Sequence, residues 1–292
     1  STIPTSSGIS CAFSPDGDVL AVGHQSSPYI MVYPWSSASG FGTKYSNPST
    51  TPTGTGIGVA FSPDGNDIAI AHSTSPFVSA YPWSYASGFG SKYSNPSTSI
   101  PNTGASIDFS PDGNTLVVGH ANSPYVTAYS WSSGFGSKYS NPSTLPGGRG
   151  RGVAFSPDGN HVAVAHDNSP YITAYPWSSG FGSKYANPST ALPNRGRRVT
   201  FNPDSDVLAV AHDDSPYITA YAWSSGFGSK YANPSTLPSG LGLGVAFSSD
   251  GNDIALGSNS PPYIIAWPWS SGFGTKYANP STLPNDGRDV FF

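Results

Sequence analysis

The chain has 292 residues, with 12 Lys and Arg against 16 acidic residues and only 10% charged residues, for a formal charge of −4. That balance excludes the basic face that nucleic-acid binding needs. Every acidic residue is Asp, and Gln and Met occur once each, at Gln25 and Met31, so strong helix formers other than Ala and Leu are scarce. The 34 Gly and 29 Pro mark many turns, while 13% aromatic residues argue against disorder. No apolar run approaches spanning length, so no membrane insertion is expected. Cys11 is the single cysteine, which rules out an intrachain disulfide.

A repeat governs the chain. The Phe of the Phe-Ser-Pro-Asp-Gly phrase, or its variant, recurs at Phe13, Phe61, Phe109, Phe155, Phe201 and Phe247, and a truncated copy ends at Phe292. The spacings are 48, 48, 46, 46, 46 and 45 residues, close to four short strands per unit. The units run about 8–55, 56–103, 104–149, 150–195, 196–241 and 242–286, with 287–292 as an extra closing strand.

The fifth unit shows the elements in order. Arg198–Phe201 reads as strand a, and Asn202–Ser205 as a tight turn where the other units carry Asp-Gly, a pair suited to positive φ. Asp206–His212 reads as strand b, Asp213–Pro216 as a turn, Tyr217–Trp223 as strand c and Phe227–Tyr231 as strand d. Asn233–Pro238 then leads onward as a stiff, extended linker. Alternation places Val207, Ala209 and Ala211 on one face and Leu208, Val210 and His212 on the other. Neither face is strongly polar, so each sheet must pack on both sides, and one unit cannot bury both faces alone. The expected fold is therefore all-β: a six-bladed β-propeller of four-stranded antiparallel blades, forming one domain over 1–292.

The phrases Ala-Phe-Ser-Pro-Asp-Gly-Asn, Asp-Ile-Ala-Ile-Ala-His, Ser-Pro-Tyr-Ile-Thr-Ala-Tyr-Pro-Trp and Gly-Phe-Gly-Ser-Lys-Tyr resemble WD40-like propeller repeats over the whole chain. Strand c ends in Tyr-Pro-Trp-Ser or a close variant rather than Trp-Asp, and the Gly-His pair before strand a is missing. The chain is more similar to the highly repetitive propellers of phage and metagenomic proteins. That resemblance implies a virion-associated or extracellular binding role.

Five histidines, His24, His72, His120, His166 and His212, share the end of strand b; Ser258 replaces them in unit six, and His161 is extra. Strand b is not the innermost strand, so these rings cannot converge on one metal, and a bond within the blade is the expected role. The stretch Asp64-Gly-Asn-Asp67 is too short for a calcium loop and reads as a β-turn. No Gly-x-Ser-x-Gly elbow occurs, and repeated identical positions do not suit catalysis, so no enzyme activity, metal or cofactor is expected.

The differences between units are more telling. All six arginines, Arg149, Arg151, Arg195, Arg197, Arg198 and Arg288, lie at or just before a strand a, where other units hold Ile9, Ile57, Ala105, Leu241 and Leu243. Asp108 and Asp289 are the odd acidic residues on strand a. Neighbouring units four and five would form a basic arc fit for carboxylate or phosphate. The lysines Lys44, Lys92, Lys138, Lys184, Lys230 and Lys276 all fall on strand d, where edge protection is the first reading and a repeated sugar site the second. The function expected is a non-catalytic binding or structural module with an unidentified protein or glycan partner. The alternatives are a lectin and a hydrolase of an anionic substrate. A monomer is expected, with domain swapping between near-identical units open. The extra 287–292 strand would close the fold by replacing or flanking the Gly8–Phe13 strand.

Overall fold

A computed structural model describes residues 6–291; the Ser1–Pro4 copy of the linker and Phe292 lie outside them. The fold is all-β, six antiparallel sheets forming the blades of a six-bladed propeller. The chain divides into two compact units, one up to Tyr139 holding blades 1–3 and one from Ser140 holding blades 4–6.

Strand a is Gly8–Phe13, Gly56–Phe61, Gly104–Phe109, Gly150–Phe155, Gly196–Phe201 and Gly242–Phe247 in successive blades. Strand b is Val19–His24, Asp67–His72, Thr115–His120, His161–His166, Val207–His212 and Asp253–Ser258. Strand c is Ile30–Ser36, Val78–Ser84, Val126–Trp131, Ile172–Pro176, Ile218–Trp223 and Ile264–Pro268. Each pairs with the next in sequence. Within each unit, strands a of successive blades pack on one another, with strand d on the far edge. Strand a begins two residues before the Arg198 expected from the sequence, because its first residue pairs across a bulge with the end of strand b.

Strand d departs from expectation. It is four residues long in blades 3 and 5 (Phe135–Lys138, Phe227–Lys230) and two in blades 1 and 2 (Gly40–Phe41, Gly88–Phe89). Blades 4 and 6 have three strands, with single bridges Trp177–Phe181 and Trp269–Phe273 in place of a fourth. The cause is one residue of strand c. Pro34, Pro82, Pro176 and Pro268 accept a bond from the amides of Gly42, Gly90, Gly182 and Gly274 but have no N–H to return it. Blades 3 and 5 carry Ser130 and Ala222 there, and in them the ladder extends.

Turn chemistry repeats. In blade 2 the Ser62 hydroxyl donates to Asp64 (2.6 Å) and accepts from the Asp67 amide (2.9 Å), while Gly65 takes φ +72°. In blade 5 Asn202 Oδ1 accepts from the Val207 amide (2.8 Å), its Nδ2 donates to Asp206 (2.7 Å), and Ser205 takes the positive φ. In blades 2, 3, 5 and 6 the first residue of strand a must be Gly. A Cβ on Gly196 would lie 2.6 Å from the Tyr171 carbonyl oxygen.

Between blades, apolar faces meet as the alternation predicts. Ala163, Ala165, Ile172 and Ala174 of blade 4 pack on Leu208, Val210, Tyr221 and Trp223 of blade 5. Trp223 sits edge-on to Phe201, Phe227 and Tyr185, with centroids 5.1–5.5 Å apart, a favoured aromatic geometry. The strand-c tyrosines reach back to the preceding linker: the Tyr221 hydroxyl donates to the Thr190 carbonyl at 2.8 Å. Gly8–Phe13 is paired with Val19–His24 as strand a of blade 1.

Candidate functional site

The arginines of blades 4 and 5 are placed by a bulge. The register steps from Gly150↔His166 to Gly152↔Ala165, leaving Arg151 as the extra residue; Arg197 is extra in blade 5 in the same way. A bulge re-aims its side chain, and here it turns each guanidinium onto the residue just after strand b. Arg151 forms a two-pronged pair with Asp167, Nε to Oδ1 and Nη2 to Oδ2 (3.3 Å). Arg197 pairs likewise with Asp213, at 2.5 and 3.0 Å. Arg195 adds a second contact to Asp213 at 2.5 Å, and the Asp213 side chain is only 7% exposed. A carboxylate so enclosed needs both partners.

Two arginines are held differently. Arg198 Nη1 donates to the carbonyls of Arg151 (2.7 Å) and Arg197 (3.3 Å), tying blade 5 to blade 4. Arg149 is half-buried, and its Nε has no hydrogen-bond partner. Burial lowers the Arg149 pKa, Arg151 lowers it further, Asp167 opposes this, and Arg197 and Arg198 lower it again. Five arginines thus gather around Asp167 and Asp213, with exposed Asp214 beside them, and the cluster keeps a positive excess. Arg288 is not part of it; its ion pair is with Asp286.

Asp167 and Asp213 are partners of the arginines that the sequence alone does not single out. The signal was present: the units without the arginines carry Gln25, Ser73, Ala121 and Asn259 at that position.

The histidines stay within their blades. Nε2 of His72, His120, His166 and His212 lies 2.8–3.0 Å from the hydroxyl of Ser79, Thr127, Thr173 or Thr219 on strand c. Burial pushes each of these four pKa values from 6.5 to about 4. His24 lacks that partner because Met31 replaces it, and blade 6 has lost both members, with Ser258 and Ile265. Among the described residues no group of three potential metal ligands forms. The lysines are drawn into their own linkers: Lys44, Lys184 and Lys276 donate to Asn47, Asn187 and Asn279 at 2.5–2.7 Å. Lys92 and Lys230 bond Asn95 and Asn233 likewise.

No family model matches the chain, and no curated protein does. Solved structures share its architecture. A chain of hydrazine synthase from Kuenenia stuttgartiensis aligns with TM-score 0.71 at 15% identity, over 91% of this chain and 78% of that one. A putative 6-phosphogluconolactonase from Bacteroides uniformis aligns with TM-score 0.71 at 14% identity, over 95% and 85%. A functionally unknown protein from Desulfotomaculum acetoxidans gives 0.72 at 12% identity, over 98% and 89%. At these identities the likeness concerns the fold alone.

Proposed function

We propose that the chain is a non-catalytic binding module whose blades 4 and 5 take an anionic group, a carboxylate, sulfate or phosphate, at the arginine cluster. The observation that carries this reading is Arg149: a half-buried guanidinium with an unpartnered Nε, among like charges, beside arginines already engaged with Asp167 and Asp213. A bound anion would relieve both the burial cost and the repulsion. The bulge holds Arg151 and Arg197 in fixed two-pronged pairs, so little side-chain freedom is lost on binding. The linker bonds of the lysines leave the repeated sugar-site reading less support. A virion or extracellular setting, implied by the resemblance of the repeats to phage proteins, suits such a module.

The test is a glycan array rich in sulfated and carboxylated sugars, read with the wild type and with Arg151→Ala/Arg197→Ala. Binding by the wild type that is lost in the variant is the expected result. Binding retained in the variant moves the ligand to the repeated edge and overturns the arginine site. No binding by either protein removes the anionic-glycan reading and leaves a structural propeller.

A further inference from the structure

The linker that enters strand a is tied down by side chains in four blades and left open in blade 4. In blade 2 the Thr53 hydroxyl donates to the Ser75 carbonyl at 2.8 Å, and in blade 6 the Ser239 hydroxyl donates to the Pro261 carbonyl at 2.6 Å. In blades 3 and 5 the tie falls one residue later. Oδ1 of Asn102 and of Asn194 accepts from the amides of Thr103 and Arg195, at 2.7 and 2.8 Å. Blade 4 has Gly147 and Gly148 at these two places, so it can make neither contact. Its linker is held instead by the Asn168 side-chain amide, which donates to the Gly147 carbonyl at 2.7 Å.

The residue after strand b differs in the same blade. In every other blade its amide donates to the linker: Gln25 to Ser7, Ser73 to Thr55, Ala121 to Thr103, Asp213 to Arg195 and Asn259 to Leu241, at 3.0–3.4 Å. In blade 4 the Asp167 amide makes no such bond to the Arg149 carbonyl. Neither the Asp167 amide nor the Arg149 amide has an acceptor among the described residues, and Arg149 Nε is unpartnered as well. Three N–H donors without acceptors thus lie on one linker and the turn beside it, among the five arginines. The segment reaches water, since Gly147 and Asn168 are exposed.

Open amides beside a glycine pair let a backbone approach an oxyanion closely. Arg149, Arg151, Arg195, Arg197 and Arg198, set against Asp167, Asp213 and Asp214, leave two positive charges in excess. A phosphate group carries roughly −1.5 to −2 charge near neutral pH and three free oxygens. A sulfate ester has the oxygens but a single charge, and a carboxylate has only two oxygens.

We infer that the anion taken at blade 4 is a doubly charged phosphate group, received by the Arg149 and Asp167 amides together with the Arg149 guanidinium. The inference rests on the anion-binding reading of the arginine cluster and adds to it the ligand class and two backbone donors. A phosphate monoester and free phosphate share this chemistry.

The test titrates methyl phosphate, inorganic phosphate, methyl sulfate and acetate into the isotope-labelled chain at about pH 7.5, above the second phosphate pKa of about 6. Amide resonances and calorimetry are the readouts. Methyl phosphate should bind saturably and about tenfold tighter than methyl sulfate or acetate, with the largest shifts at the Arg149 and Asp167 amides. Tighter binding of inorganic phosphate than of methyl phosphate makes the free ion the source; the reverse makes it an ester. Gly148→Asn copies blades 3 and 5 and should cap the Arg149 amide, weakening phosphate binding about tenfold. A Cβ there would lie 3.0 Å from Asn168 Nδ2, the movable end of a side chain. Equal phosphate binding by the folded Gly148→Asn chain overturns the inference, and where that variant does not fold the wild-type shifts decide. Unshifted Arg149 and Asp167 amides, or methyl sulfate or acetate bound as tightly as methyl phosphate, overturn it while leaving the arginine site in place. Absence of saturable phosphate binding at about 10 mM overturns it too, and the array with Arg151→Ala/Arg197→Ala then judges the arginine site separately.

Discussion

Blades 5 and 6 share a backbone and differ in what they hold on it. Both begin strand a with a glycine, both bulge at the next residue, and both place a buried tryptophan, Trp223 or Trp269, at or just past the end of strand c. Blade 5 fills the bulge with Arg197 and answers it with Asp213; blade 6 has Leu243 and Asn259. Blade 5 buries the His212–Thr219 pair; blade 6 has Ser258 and Ile265. The frame is set by glycine geometry and apolar packing. The bulge and the strand-b terminus are slots whose occupants change in matched pairs.

The largest effect should come from the shared frame, and it should be alike in both blades. A Cβ on Gly196 or Gly242 would fall 2.6 or 2.2 Å from a carbonyl oxygen of the preceding blade. Gly196→Ala and Gly242→Ala should each cost roughly 1–3 kcal/mol or more, read by chemical denaturation. A much milder Gly242→Ala would break the equivalence.

Acid comes next, and here the blades should part. His72, His120, His166 and His212 have pKa values lowered from 6.5 to about 4 by burial. The folded chain therefore binds fewer protons than the unfolded one between those values. Their neutral-state stabilisation is complete above pH 6.5 and is lost as pH falls toward 4, by at most about 1.4 kcal/mol per pH unit for each ring. His212→Ser/Thr219→Ile, which gives blade 5 the blade 6 pair, should flatten the stability profile over that window. An unchanged slope would show that the rings do not set it.

Asp67 and Asp253 extend the comparison to blade 2. Asp67→Ala strands a buried indole N–H and should cost about 2 kcal/mol. Asp253→Ala removes a bond to a half-exposed tyrosine and should cost under about 1 kcal/mol. Melting curves of the two variants side by side test the ranking.

The smallest change in stability is expected from the slot itself. Arg197→Leu/Asp213→Asn copies blade 6 and should stay within about 1 kcal/mol of wild type, since the carboxylate leaves with its more buried partner and Arg195, which loses it, is 43% exposed to water. The same variant should lose binding to anionic sugars on the array. A large loss of stability would mean that the cluster is part of the frame.

Much of the frame was legible before any coordinates. The recurring phenylalanines gave the period, the alternation in Val207–His212 gave both buried faces, and a within-blade role for the strand-b histidines followed from strand order. The outer strand was harder to read. Pro176 stands in plain sight, but which side of strand c its missing N–H faces depends on register, and that decides whether strand d forms. The arginines stood out as departures from the repeat. Their carboxylates did not, because Asp213 and Asp214 read as ordinary turn residues until the bulge brought Arg197 over the first of them.

The strand-c prolines have a consequence for the molecule in a crowded solution. A sheet whose penultimate strand cannot return a bond stops growing at its own margin. Four of the six blades end this way, each with a lysine drawn back onto its linker. Strand-by-strand recruitment of neighbouring molecules at those four margins meets a poor template.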